Sequence, residues 1–121
     1  MAREASIAGQ FSVRFAKIDT ASSGATAIVS AVAGYAIRVV AFFCVAGADV
    51  TVKWQSNSTD LTGAMSLAEH GGISADSHSG LFETALGAAL NITLGGAVQV
   101  SGSVAYVLVP HKVKVSSGDL V

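Results

Sequence analysis

Charged residues are scarce in this 121-residue chain: Asp, Glu, Lys and Arg make up 12% of it, about half the share of roughly 25% usual for a soluble domain. Seven Lys and Arg, spread along a chain of net charge -1, cannot neutralise a run of phosphates, so no nucleic-acid partner is expected. Cysteine occurs once, at Cys44, which excludes an intrachain disulfide; within apolar sequence it reads as a small buried hydrophobe. There is also no uncharged apolar run of spanning length. Residues 31–48 come nearest, but Arg38 sits near their middle, where insertion costs about 2.5 to 3.5 kcal/mol, and Gly34 and Gly47 bracket a β-branched, aromatic run. No membrane partner is expected. The opening MAREASIAGQF has no apolar stretch after Arg3 and Glu4, so no secretory signal is expected either.

Catalytic signatures are equally sparse. His70, His78 and His111 form neither H-E-x-x-H nor a zinc pattern with Cys44. Glu69, His70, Asp76 and His78 fall in one stretch and have the chemistry to ligate a divalent ion, but a hydrated polar rim explains them as well, and no metal or cofactor is assigned. No G-x-S-x-G elbow occurs, and Gly71-Gly72 and Gly95-Gly96 lack the lysine or the strand-to-helix setting of a phosphate loop. The chain is therefore not read as an enzyme. Asn57-Ser58-Thr59 and Asn91-Ile92-Thr93 match the glycosylation sequon by coincidence, the second inside an apparent strand.

What the chain does have is apolar residues, 51% of the total, too many to remain unfolded. Their dominant period is two. Phe11, Val13 and Phe15 alternate with Ser12, Arg14 and Ala16; Val50, Val52 and Trp54 alternate with Thr51, Lys53 and Gln55; Leu90, Ile92 and Leu94 alternate with Asn91 and Thr93. Turn signals at Ser22-Ser23-Gly24, Gly47-Ala48-Asp49, 57–60, Gly71-Gly72, Ser79-Gly80, Gly87 and Gly95-Gly96 cut this pattern into short strands. The spacing predicts strands over 24–32, 36–45, 50–56, 61–65, 72–76, 81–84, 89–94 and 98–109. Residues 25–33 and 65–70 carry a competing helical propensity. In one domain of this size, the pattern predicts an all-β fold: a two-sheet jelly-roll β-sandwich of about eight antiparallel strands, with N- and C-terminal arms. The expected division is an arm over 1–23, the sandwich over 24–109 and a tail over 110–121.

The strand near 37–45 is apolar on both sides. Ile37, Val39, Ala41, Phe43 and Val45 are in phase, and Val40, Phe42 and Cys44 occupy the other phase. A sandwich buries only one face of each sheet, so the second must be covered, most economically by another copy of the chain and alternatively by the chain's own arm. Charge divides along the chain too. Residues 24–109 hold Arg38 and Lys53 against Asp49, Asp60, Glu69, Asp76 and Glu83, a net of -3, and each flank carries +1. Phe11, Val13, Phe15, Val40 and Phe42 are accordingly the expected interface residues, and a homo-oligomer, a trimer, the expected state. Trp54 is in phase with Val50 and Val52 and reads as core, leaving Tyr35, at a turn, as the better candidate for an exposed aromatic.

From Leu61 the chain runs LTGAMSLAEHGGISA, then GLFETALGAALNITL, then VQVSGSVAYVLV. The order of Leu61, Thr62, Gly63 and Met65, the Gly71-Gly72 turn, Phe82, Thr84, Gly87, Ala89, Leu90 and Asn91, and finally Gly102, Val104 and Tyr106 resembles a group of small virion proteins of tailed bacteriophages. The resemblance covers about 25–109 and leaves both flanks unmatched. It implies a structural phage virion protein: a head decoration (cement) protein, synthesised in the host cytoplasm, that binds the major capsid protein on the capsid surface and stabilises the assembled head. A tail- or fibre-associated component, or a glycan- or receptor-binding module on the virion exterior, is the alternative.

Overall fold

The computed structural model describes residues 12–110. Ten strands follow in order: β1 (Arg14–Thr20), β2 (Gly24–Val29), β3 (Tyr35–Ala46), β4 (Val50–Ser56), β5 (Thr59–Asp60), β6 (Met65–Leu67), β7 (Gly72–Asp76), β8 (Phe82–Glu83), β9 (Leu90–Leu94) and β10 (Val100–Pro110). They form two antiparallel sheets. One has the order β1-β10-β3-β7, with β8 also on β3; the other has the order β2-β9-β4-β5, with β6 also on β4. Strands β1 to β4 pass alternately from one sheet to the other, and β9 and β10 return between the first and second pairs. This interleaving is the double Greek key of a jelly roll.

Period-two sequences become strands here because each alternate side chain has the opposing sheet to pack against. Val50, Val52 and Trp54 of β4 and Leu90, Ile92 and Leu94 of β9 face Val39, Phe42 and Cys44 of β3 and Val100 and Val104 of β10, all buried. At the centre, Trp54 meets the Phe42 ring edge-on at 5.4 Å and lies 5.9 Å from Phe82, so one aromatic cluster joins the two sheets. Trp54 is fully buried, as its phase predicts, and Cys44 is buried beside it in the same core.

Three expectations change. Residues 14–20 are not part of an arm: β1 pairs along its whole length with β10, from Arg14 opposite Tyr106 to Thr20 opposite Val100, and Ile18 is buried in the core. The sandwich therefore begins ten residues before Gly24, because without β1 the long β10 would lack a partner on that side. The rest of the arm, 1–11, and the tail from His111 onward lie outside the described residues. Of the strand expected over 61–65, residues 61–64 are instead the connection between β5 and β6, and Met65 begins β6. There the Thr62 hydroxyl accepts the Trp54 N–H at 3.0 Å, taking a ladder bond that a neighbouring strand would otherwise make. Neither segment of helical propensity is helical. Residues 25–29 lie in β2, and 65–67 in β6, followed by a turn with His70 at φ 63° and the Gly71 N–H bonded to the Ala68 carbonyl.

Candidate interaction surface

The two sheets turn different chemistry outward. On the β2-β9-β4-β5 sheet the outward positions of β4 and β9 are Thr51, Lys53, Gln55, Asn91 and Thr93. These groups satisfy one another. Lys53 Nζ lies 3.1 Å from Asp60 Oδ1, Gln55 Nε2 donates to the same oxygen at 2.8 Å, and Thr93 Oγ1 donates to Gln55 Oε1. The Gln55 amide, and then the Lys53 ammonium, hold the Asp60 carboxyl below the usual carboxylate range. Asn91 Nδ2 donates to the Asn57 carbonyl, and Asn57 Oδ1 accepts the Ala89 N–H, so both sequon asparagines brace the β4–β5 turn. This face is built to meet water.

The outward face of the β1-β10-β3-β7 sheet carries an apolar patch, bordered by Lys17, Asp19, Ser101 and Ser103. A bulge in β3 creates it. Ala41 stands opposite Ala105 and Val39 opposite Tyr106, leaving Val40 as an extra residue. Its carbonyl accepts the Ser77 N–H at 2.8 Å, and the Val39 carbonyl accepts the Leu81 N–H at 2.7 Å, so the β7–β8 connection takes up the displaced backbone. The extra residue reverses the alternation. Before it, Ile37 and Val39 point into the core; after it, Phe42, Cys44 and Ala46 do, and Ala41, Phe43 and Val45 point out. In the same outward layer, Phe15 stands beside Ala105, and Ala105 beside Ala41, whose partner on the far strand is Asp76. Phe15 is 74% exposed, Phe43 55% and Val45 48%. Toward the other end of the sheet, Ala36, Val107 and Val109 form a second buried cluster with Val40 against it.

Of the residues expected at an interface, Val13, Phe15 and Val40 lie on this face, with Val13 and Phe15 exposed and Val40 half-buried. Phe11 lies outside the described residues. Phe42 is a correction: it is 6% exposed and packs on Trp54, because the bulge moves it to the core phase. The face it was expected to occupy belongs to Phe43, Val45 and Ala41, which single-strand phasing missed. The signal that identifies them is in the partner strand. Ser101 and Ser103 of β10 alternate with buried Val100 and Val104, and their opposite residues, Val45 and Phe43, share their outward side.

One ion pair fastens the rim. Arg38 Nε donates to Glu83 Oε1 at 2.7 Å, joining β3 to β8, and Gly80 brings the chain close over the Arg38 stem at φ 105°. Glu69 and His70 approach at 3.8 Å beside Asp49, which accepts the Glu69 N–H. Asp76 and His78 instead line a groove with Val13, Val40 and Val107. The four residues considered for a metal are thus divided between two places, and among the described residues no three His, Cys, Asp or Glu side chains gather.

No family model, curated protein or solved structure matches this chain significantly.

Proposed function

We propose that this chain is a structural building block rather than a catalyst: a jelly-roll subunit that associates with copies of itself, as a trimer, and decorates a phage head by binding the major capsid protein. The observation that carries the reading is the unequal dressing of the two sheets. In a chain with only 12% charged residues, the outward side chains of the β2-β9-β4-β5 sheet bond to one another, whereas the other sheet leaves Phe15, Phe43 and Val45 in water beside its polar Lys17, Asp19, Ser101 and Ser103. An exposed apolar patch flanked by polar residues is the usual mark of a protein-binding face. The placement on a phage particle is supported by the sequence resemblance.

A cement function needs no chemistry. A subunit that binds only the closed shell shifts the equilibrium away from disassembly by its own binding free energy. The polar, internally bonded sheet then faces solvent. Electron microscopy of the parent particle, with and without this protein, tests the reading. The expected result is added density on the capsid lattice and earlier heat disruption of particles that lack it. Capsid density and heat resistance that are both unchanged by its removal would reject the decoration function.

A further inference from the structure

Within the apolar face lies a trough of about 300 Å³. Its floor is made of small side chains, Ala41, Ser103 and Ala105, while Phe15 and Phe43 rise beside it and Asp76 stands on its β7 rim. Three small residues in adjacent strands leave a slot that nothing on the sheet's own surface fills, and a slot of this kind admits one bulky apolar side chain. The rim adds a requirement. Asp76 has no side-chain hydrogen bond or ion pair among the described residues, whereas Asp19, Asp49, Asp60 and Glu83 each have a partner. Covering Asp76 with protein strands a carboxylate unless the covering surface supplies a cation. The occupant must therefore present a large apolar group with a positive charge close beside it.

The chain presents that pair itself. Phe15 and Lys17 are two residues apart on β1, so both project from the same side, about 7 Å apart along the strand. Phe15 is the most exposed of the large hydrophobic residues described. Among the described residues Lys17 is tied only to Asp19, at 3.7 Å with both side chains largely in water, a bond of little strength that is readily exchanged. Asp76 is the cross-strand partner of the floor residue Ala41, so a ring seated over Ala41 and Ala105 brings a lysine two residues along within reach of that carboxylate.

Resting on the reading that copies of this chain associate, we infer that the occupant is a second copy: its Phe15 enters the trough and its Lys17 pairs with Asp76. The arrangement fixes register as well as attraction, since the ring seats only over the small-residue floor and the charges meet only in that seating.

Sedimentation equilibrium on the full chain and four variants tests it: Phe15→Asp, Lys17→Asp, Asp76→Lys and the double exchange Lys17→Asp/Asp76→Lys. All these side chains are exposed, so melting temperatures should stay within a few degrees of wild type and any change should report association. Phe15→Asp should raise the dissociation constant by more than about tenfold. Each single charge change should weaken association about fivefold or more, and the double exchange should return it to within about threefold of wild type. Restoration by the double exchange supports the pairing, because a merely structural effect of either change would persist. A wild type that is monomeric overturns self-association and this inference together. An oligomer indifferent to Phe15→Asp, or one that the double exchange fails to restore, overturns the docking mode and leaves self-association standing.

Discussion

Phe42 and Phe43 are neighbours in β3 and point to opposite sides of the sheet: Phe42 packs edge-on against Trp54 at 5.4 Å in the core, and Phe43 stands 55% exposed. The same substitution at the two positions should therefore have different consequences. Phe42→Asp removes a core ring and buries a carboxylate, which together should cost more than about 3 kcal/mol and leave little folded protein. Phe43→Asp should leave the chain folded, with a melting temperature lowered only by what association contributes. Thermal denaturation followed by far-UV circular dichroism checks both.

The packing of β10 between β1 and β3 depends on Gly102. It faces Ile18 on one side and Cys44 on the other, and a Cβ there would run into the Phe43 carbonyl and come within 2.7 Å of the Cys44 Cα. Those atoms are backbone and cannot swing aside, so Gly102→Ala should destabilise by about 1 to 3 kcal/mol. A Gly63→Ala control, where nothing lies within 4 Å of the added carbon, should change stability much less. Urea denaturation midpoints compare the two.

Cys44 provides a titration signal. Burial pushes its thiol pKa up, so the folded state holds the proton at pH values where the unfolded thiol, near pKa 8.5, loses it. The stability this contributes is fully present below the unfolded pKa and is lost as pH rises toward the folded one. Unfolding free energy should therefore fall above about pH 8.5, and Cys44→Ala should remove that component of the slope while lowering stability at every pH. In the native state at neutral pH, thiol reagents should react with Cys44 only as fast as the core opens.

The role of β1 predicts the outcome of truncation. Removing residues 1–18 takes away most of the edge strand, including buried Ile18, and exposes one side of β10. The shortened chain should be strongly destabilised and prone to aggregate. Ile18→Ala alone should cost about 2 to 5 kcal/mol. A truncated chain that melts like the whole one would show that β1 adds nothing to the sandwich.

Much of the fold is legible in the sequence because it is periodic. β4 and β7 begin and end where alternation and turn residues place them, and Trp54 lies in the core as its phase requires. The exposed apolar face is less legible for a specific reason. β3 is apolar in both phases, so alternation cannot decide which residues face in, and a single extra residue at Val40 reverses the assignment halfway along the strand. β1 looked like an arm because it stands apart in charge, but its alternating Ala16, Ile18 and Thr20 lie against Val104, Gly102 and Val100. Edge strand and arm have the same sequence pattern, and only the long partner β10 distinguishes them.

The central claim is that the outer face of the β1-β10-β3-β7 sheet is where copies of this chain meet. Sedimentation equilibrium of the wild type and of Phe43→Asp, at micromolar concentration, tests it most directly. The account predicts a wild-type mass three times that of the 12.1 kDa chain, and a folded monomer for Phe43→Asp. A wild type that sediments as a stable monomer, or a Phe43→Asp variant that assembles as the wild type does, would contradict it.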